Sequence, residues 1–232
     1  MIQTPKFVTR LFPKQIWEYP NTKNTIYLTF DDGPIPEVTP WVLDQLAAHH
    51  AKATFFCIGD NVVKHPAIFN KVVAASHGIG NHTFSHCNGW KTSLKEYVID
   101  IEKCEAVLRD HLSGFMPLFR PPYGRITPKQ AKALITRDYQ IVMWSILSRD
   151  YDQKISKQQC LKNVLQHIKP GSIVVFHDSL KAFKNLQYTL PKVLEYCNKK
   201  DGNARHFHCR DTSQINLKCN CWDLIRILVL NQ

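Results

Sequence analysis

The chain has 232 residues, of which 44% are hydrophobic, so it is long enough to bury one sizeable core. Its formal charge of +11 attracts polyanions over long distances. The basic residues are nevertheless spread along the chain, without a zinc-finger spacing, an arginine-rich arm or an aromatic-basic motif. Composition therefore indicates one globular domain and argues against a specific nucleic-acid partner.

The beginning of the sequence carries no recognisable targeting segment. Residues 1–15 mix Lys6, Arg10 and Lys14 with short apolar pieces, and none of these pieces is as long as the apolar core of a secretory leader. No later segment approaches the length of a membrane span. We therefore expect a cytoplasmic protein without a membrane span, with the cell envelope as the alternative if a leader is missing from this sequence.

Strand and helix patterns alternate along most of the chain. Strands are predicted at 25–30, 53–58, around Ile79, and at 115–119, 139–145 and 173–176. Helices are predicted at 41–49, 61–75 with a break at Pro66, 93–112 after a capping box at Ser93 and Glu96, 127–137, 156–168 and 186–198. This alternation indicates a parallel α/β architecture, a (β/α) barrel with fewer than eight regular units.

The domain limits follow from where this alternation starts and stops. We expect an N-terminal lead-in over 1–24, a single domain over 25–198 and an atypical tail over 199–232. The tail, either a lineage-specific appendage or a frameshifted reading, contains a group of cysteines and histidines whose spacing matches no established zinc motif: His206, His208, Cys209, Cys219 and Cys221. Elsewhere, free thiols are expected at Cys57, Cys104 and Cys160, since a chain of this size does not need disulfides.

The first strand runs directly into two adjacent carboxylates, Asp31 and Asp32, followed by Gly33 and Pro34. Two ionised carboxylates side by side repel each other, so a fold that keeps them together needs a cation or a proton nearby. The alternative is an ordinary turn, because Asp, Gly and Pro are typical turn residues.

Polar residues also follow the later strands, at or just after the point where each strand ends. In β/α barrels the carboxyl ends of the strands form one rim, and active sites assemble there. The predicted strands therefore bring a set of polar side chains to a common mouth: Asp31, Asp32, His82, His86, Arg120, Asp150 and His177.

His82 and His86 lie in a polar loop flanked by Gly78, Gly80 and Gly89. Either a tight loop or a helical turn can bring two imidazoles four residues apart onto one ion, and a nearby carboxylate would complete a set of two His and one Asp. Zinc accepts such a mixed site and leaves a position open for water. The alternative is a pair of unrelated loop histidines.

Arg120, Asp150 and His177 have chemistry that complements the first two groups. Arg120 is a fixed positive charge beside a rigid Pro-Pro pair, suited to holding a carboxylate ionised. Asp150 could orient His177 and raise the pKa of its imidazole, making the ring a competent general acid. Taken singly, each of these residues is as readily structural.

Five segments resemble, in order, the five motifs of the polysaccharide deacetylases, the NodB-homology group known as carbohydrate esterase family four. They are Thr29-Phe30-Asp31-Asp32-Gly33-Pro34, His82-Thr83-Phe84-Ser85-His86, Arg120-Pro121-Pro122-Tyr123-Gly124, Trp144 through Asp150-Tyr151, and Val175-Phe176-His177. The resemblance covers roughly residues 25–198. It implies a distorted, incomplete (β/α) barrel that hydrolyses acetyl groups from N-acetylglucosamine polymers, chitin or peptidoglycan, or from acetylated xylan.

The resemblance also implies a division of labour in the first three motifs. Asp31 would be the general base, with Arg120 holding its carboxylate. Asp32, His82 and His86 would bind a divalent metal, for which Zn²⁺ is the expected ion.

In the last motifs the resemblance implies the general acid. His177 would protonate the leaving amine, oriented by Asp150, and the backbone amide of Tyr123 would help to stabilise the oxyanion. The chain would thus be a metal-dependent hydrolase of linear amides that needs no covalent intermediate.

Two positions depart from the family pattern, because Tyr151 replaces the usual tryptophan and Val175 the usual leucine. Both would line the substrate groove or the acetyl pocket, and Trp90 and Tyr123 could stack against sugar rings. The expected partner is an acetylated glycan. An acetylxylan O-deacetylase and an inactive carbohydrate-binding relative are the alternatives, the second disfavoured by the complete set of charged residues.

Overall fold

The structure is a computed structural model that describes residues 2–19, 24–114 and 116–198 and the backbone of 208–210. The strands of these residues form one sheet in which every pair is parallel. They are β1 (Thr25–Asp31), β2 (Thr54–Cys57), β3 (Gly78–Asn81), β4 (Leu118–Phe119), β5 (Gln140–Ile141), β6 (Ile146–Leu147), β7 (Ile173–His177) and β8 (His208–Arg210).

Helices connect most of the successive strands, because neighbouring parallel strands need a long crossover connection. They are α1 (Lys6–Leu11), α2 (Thr39–Ala48), α3 (Gly59–Lys64), α4 (Pro66–Ala74), α5 (Leu94–Arg109), α6 (Pro128–Ile135), α7 (Lys157–Leu165) and α8 (Leu180–Asn198). The predicted break at Pro66 separates α3 from α4, and the predicted capping box of Ser93 and Glu96 opens α5. The sequence pattern did not predict α1, and α8 begins six residues before the predicted start at Leu186.

The sheet curls into an incomplete barrel. Its strand order is β5-β4-β3-β2-β1-β7-β6, with β8 paired to the first residues of β1. A flat sheet of seven strands would hold its edges roughly 29 Å apart. Ile141 in β5 and Ile146 in β6 are joined by 142–145, a link that spans roughly 18 Å at most. The two edges must therefore approach each other, and the predicted fold class, a distorted single-domain (β/α) barrel, is confirmed.

One strand prediction was wrong in an informative way. The apolar run 139–145 was predicted as one strand, but its start forms β5, its middle crosses the barrel opening, and β6 follows at the other edge. The carbonyls of Val142 and Met143 in this crossing accept hydrogen bonds from the buried Arg120 side chain. The run is apolar because it is buried. A buried segment need not form one continuous hydrogen-bonded strand, so the apolar pattern was misleading.

The core lies on both faces of β1, the central strand, and all seven of its residues are buried. Phe30 stacks between Phe55 of β2 and Phe176 of β7, with ring centroids 5.1 and 5.9 Å apart. A strand packed on both faces is mostly apolar, and β1 carries its one charged residue at its carboxyl end. This places Asp31, the last residue of β1, at the rim.

Several predictions concern the rest of the chain. Cys57, Cys104 and Cys160 are buried free thiols, as expected. Over the described residues, no helix combines the length and apolarity that crossing a bilayer needs. The cysteines and histidines of the tail lie outside the described side chains, although the backbone of 208–210 forms β8. The domain limits stay a prediction.

Candidate active site at the carboxyl rim

A pocket of about 620 Å³ opens at the carboxyl ends of the strands. Eight predicted site residues line it: Asp31, Asp32, His82, His86, Tyr123, Tyr151, Val175 and His177. Arg120 and Asp150 are fully buried directly behind the lining residues. Trp90 is 64% exposed and lies beside the pocket rather than in its lining.

Asp31 is held by Arg120 inside the barrel. A guanidinium nitrogen of Arg120 donates to Asp31 Oδ1 at 2.7 Å and to Thr29 Oγ1 at 2.6 Å. Burial lowers the pKa of Arg120, but Asp31 opposes that shift, and the group remains a cation. Because one carboxylate oxygen is used by Arg120, the other is left to face the pocket.

Asp32, His82 and His86 form a group that could hold a metal ion. Their ligating atoms lie within 4.8 Å of one another. Nε2 of His86 is 3.4 Å and Nε2 of His82 3.9 Å from Asp32 Oδ1. Asp32 and His86 have positive φ angles of 86° and 57°, which non-glycine residues rarely adopt. Such conformations persist only where the surroundings impose them, as they do at binding sites.

The protonation states of Asp32 and His82 suit metal binding. His82 Nδ1 donates to the carbonyl of Arg120 at 2.8 Å, which leaves Nε2 unprotonated and directed at Asp32. Burial lowers the pKa of His82 to about 4, so the ring is neutral at pH 7. Burial alone would raise the pKa of Asp32, but hydrogen bonding with His86 and the charge of His177 hold it well below its usual range. A carboxylate and neutral imidazoles are the forms that metals bind.

His177 and Asp150 form the predicted pair. His177 Nδ1 donates to Asp150 Oδ1 at 2.8 Å, and the backbone amide of His177 donates to Asp150 Oδ2 at 2.7 Å. Burial works against a charged ring, but the adjacent Asp150 carboxylate outweighs it and raises the pKa of His177 to about 9. The ring is therefore protonated at neutral pH, with Nε2–H available to the pocket.

Two aromatic rings stand against the histidines. Tyr123 packs edge-on against His86 with ring centroids 4.7 Å apart, and Tyr151 packs against His177 at 4.8 Å. Val175 lies on the inner wall and is buried. The pocket thus has polar groups in the centre and apolar rings on two sides, an arrangement suited to a sugar.

Comparison with known proteins agrees with this geometry. Residues 18–142, more than half of the chain, match the model of the polysaccharide deacetylase family. The chain belongs to the polysaccharide deacetylase family. The resemblance inferred from the five motifs is thereby confirmed.

Curated relatives of this deacetylase-family chain have two kinds of name. A peptidoglycan-N-acetylglucosamine deacetylase of Bacillus cereus is 42% identical over 161 residues, which cover 69% of this chain and 58% of that protein. A second protein of that name from the same strain is 35% identical over 190 residues, 79% of this chain and 86% of that one. A chitooligosaccharide deacetylase of Azorhizobium caulinodans is 35% identical over 158 residues, which cover 67% of this chain and 74% of that protein.

Among solved structures, a peptidoglycan N-acetylglucosamine deacetylase superposes with a TM-score of 0.74 at 32% identity. The match covers 90% of this chain and 94% of that one. A mutant of a family pseudoenzyme, with restored enzymatic activity, superposes with a TM-score of 0.73 at 25% identity. That match covers 86% of this chain and 70% of the other chain. The deacetylase fold therefore occurs in both active and inactive proteins.

The motif comparison did not assign a role to Asp178, a fully buried carboxylate next to His177. Asp178 Oδ1 accepts from the Gly33 amide at 3.0 Å, and Thr39 Oγ1 donates to Oδ2 at 2.6 Å. Burial raises the pKa of Asp178 to about 8, although both hydrogen bonds oppose the shift. Asp178 therefore ties the loop of the candidate acid to the loop of the Asp pair.

Gly33→Ala is expected to disturb the site through Asp178. A Cβ at Gly33 would lie 1.9 Å from Asp178 Oδ2, so the Asp32 loop or the carboxylate must move. We expect the free energy of unfolding to fall by about 1–3 kcal/mol, measured by denaturant unfolding. Any binding of added Zn²⁺ at Asp32 should weaken, measured by metal titration. Gly114→Ala is the matched control, because nothing lies within 4 Å of its added Cβ. Equal behaviour of the two variants would contradict this role.

Asp150→Asn is expected to lower the pKa of His177, measured without added metal. The folded pKa of about 9 lies above the usual 6.5. The protonated pair therefore contributes stability that is complete below pH 6.5 and is lost as the pH rises through 9. NMR titration of the His177 ring should give a pKa near 9 in the wild type and a lower one in the variant. An unchanged value would show that Asp150 does not set it.

Proposed function

We propose that this chain is a metal-dependent carbohydrate deacetylase that hydrolyses the acetamido group of N-acetylglucosamine units in glycans. The observation that carries the proposal is the arrangement of three functional groups in one pocket. A carboxylate held by arginine, a set of two imidazoles and one carboxylate, and a protonated imidazole held by aspartate all face the same space. Amide hydrolysis needs these three functions: a base, an electrophile and an acid.

The donor set fits a divalent cation, with Zn²⁺ as the proposed ion. Asp32, His82 and His86 would hold it, because two neutral imidazoles and a carboxylate suit zinc and leave further positions open. When bound, the ion would polarise the acetyl carbonyl and lower the pKa of water. The hydrogen bond from His82 to the Arg120 carbonyl supports the assignment, since ligating histidines are fixed in this way.

Asp31 would act as the general base. Arg120 holds one oxygen of the Asp31 carboxylate. The other oxygen would take a proton from a water molecule as the water oxygen bonds to the acetyl carbon. The backbone amide of Tyr123 would stabilise the developing oxyanion.

His177 would act as the general acid. It delivers the proton on Nε2 to the amide nitrogen as the carbon–nitrogen bond breaks, which releases acetate and a free amine. Asp150 keeps Nδ1 as the donor on the other side of the ring, so the proton is lost from Nε2. The proton on Asp31 then restores the acid after acetate leaves.

Acetate release tests the proposal. The zinc-loaded protein would be incubated with N-acetylated chitin oligomers, peptidoglycan and acetylxylan, and acetate would be measured enzymatically. We expect release from the first two substrates. Release from acetylxylan alone would favour an O-deacetylase, and no release from any substrate would remove the enzymatic proposal.

An inactive carbohydrate-binding relative is the rival, because a family pseudoenzyme mutant is among the structural neighbours. The complete set of candidate catalytic and metal-binding side chains argues against it. Elemental analysis separates the two proposals together with the acetate assay. Stoichiometric metal with acetate release supports the enzyme, whereas sugar binding without release supports the rival.

A further inference from the structure

Two cationic side chains line the pocket without serving any step of the proposed hydrolysis. Arg125 and Lys181 both belong to its lining. Within the described part of the chain, neither side chain has a carboxylate at ion-pair distance. Charged groups that face a binding pocket without an internal partner are available to a ligand of opposite charge.

Aromatic rings hold Arg125 on one wall. Its guanidinium carbon lies 5.1 Å from the centroid of the Trp90 ring and 5.9 Å from that of Tyr123. The Trp90 indole nitrogen donates to the carbonyl of Ile126 at 3.4 Å, which anchors the outer ring. Guanidinium groups on aromatic faces keep their donors free at the edge of the plane. Arg125 is thus placed beside the ring that contacts His86.

Lys181 occupies the corresponding place on the other wall. Its ammonium nitrogen lies 5.8 Å from the centroid of the Tyr151 ring, and Tyr151 in turn packs against His177. Arg125 follows β4, whereas Lys181 follows β7, and β1, β2 and β3 lie between these strands in the sheet. The two cations therefore flank the reaction centre from opposite sides, each one aromatic ring away from a site histidine.

We infer that Arg125 and Lys181 form two anion subsites that bind carboxylates on the sugars flanking the N-acetylglucosamine unit to be deacetylated. The inference rests on the proposed function and narrows its substrate class. In a glycan that alternates N-acetylglucosamine with N-acetylmuramic acid, both neighbours of each N-acetylglucosamine carry a lactyl carboxyl group. In chitin both neighbours are neutral.

The charge balance of the pocket supports this choice. Its two acidic lining residues are already engaged, Asp31 with Arg120 and Asp32 with the imidazoles of the metal group. The flanking cations are therefore not neutralised from within. Lys181 is exposed and Arg125 is partly exposed. Water and salt therefore screen the attraction between these cations and a substrate carboxylate. Each subsite should contribute a modest and salt-dependent preference.

Three tetrasaccharides of equal length test the inference. The first alternates N-acetylglucosamine and N-acetylmuramic acid with free carboxylates, the second is the same glycan with carboxamides, and the third is N-acetylated chitotetraose. We expect kcat/KM of the zinc-loaded wild type to be about tenfold higher for the carboxylate than for the carboxamide. This ratio should shrink as salt rises from 0.05 to 0.5 M. Equal rates for the two would overturn the inference.

Variants assign the preference to residues. Arg125→Gln and Lys181→Gln should each reduce the carboxylate-to-carboxamide ratio about threefold to fivefold, and the double variant should abolish it. Rates on chitotetraose measure any general effect of each variant on the pocket, and the carboxylate-to-carboxamide ratio is independent of that effect. Lys184→Gln is the matched control, since Lys184 is exposed on the same helix and does not line the pocket. A ratio unchanged in the double variant, or reduced equally by the control, would contradict the two subsites.

The design separates this inference from the proposed function. If the wild type releases no acetate from any tetrasaccharide, the proposed hydrolysis fails and the subsites fail with it. If it deacetylates chitotetraose and the muramic acid glycans at rates independent of charge, the hydrolysis stands and only the subsites are rejected.

Discussion

Asp31→Asn is expected to reduce acetate release about 10²- to 10⁴-fold, the range typical for loss of a general base. Asparagine has nearly the same shape, and its carbonyl can still accept the hydrogen bond that Arg120 donates to Oδ1 at 2.7 Å. It cannot take a proton from water near neutral pH. The variant should therefore lose kcat while the affinity for an N-acetylated oligosaccharide changes little.

The zinc content of the Asp31→Asn variant distinguishes two roles of Asp31, as the general base or as a metal ligand. Zinc measured per chain should be unchanged in Asp31→Asn, because the proposed ligands are Asp32, His82 and His86. Asp44→Asn serves as the matched control, since Asp44 is exposed on α2 and does not line the pocket. Wild-type activity in zinc-loaded Asp31→Asn would exclude Asp31 as the base. A parallel loss of zinc would show that it helps to hold the metal.

The sequence predicted the central strand and its carboxylates because both are local patterns. The run from Thr25 to Phe30 is apolar and β-branched, and its end coincides with the arrival of Asp31. Parallel strands then bring their carboxyl ends to one rim, so polar groups distant in sequence can be grouped without coordinates. His82 and His177 were placed near the Asp pair by this reasoning, and the structure puts them in one pocket.

The curl of the sheet could not be predicted in the same way. The run 139–145 carries a single apolar signal, yet only its start forms a strand, β5, and the rest crosses towards β6, which begins at Ile146 at the opposite edge of the sheet. Burial makes both parts apolar, and periodicity does not report which part pairs with a neighbouring strand. Sheet closure is a property of all strands together.

Asp178 shows why contacts between side chains could not be predicted from the sequence. In the sequence it follows His177 and reads as part of a loop, whereas its partners, Gly33 and Thr39, lie 145 and 139 residues away. Arg125 and Lys181 were missed for a related reason. A basic residue can be proposed to bind an anion only when its contacts with aromatic rings and its lack of an acidic partner are known. Both depend on the tertiary structure.

Arg120→Met is expected to destabilise the fold by about 3–5 kcal/mol, because it leaves the Asp31 carboxylate buried without a counter-ion. Arg120 is 0% exposed, and its side chain donates to Thr29, Asp31 and the carbonyls of the 142–145 crossing. It therefore joins β1 to the segment that closes the barrel. At roughly 2–4 °C per kcal/mol for a chain of this size, the Tm should fall by about 6–20 °C.

A double-mutant cycle separates the lost charge pair from the lost packing. Arg120→Met combined with Asp31→Asn should be more stable than Arg120→Met alone, since the unpaired carboxylate is then removed. Arg137→Met is the control, because Arg137 forms an exposed ion pair with Glu102, and its loss should change stability by less than about 1 kcal/mol. If Arg120→Met unfolds at the same denaturant concentration as this control, the buried Arg120–Asp31 ion pair does not stabilise the fold.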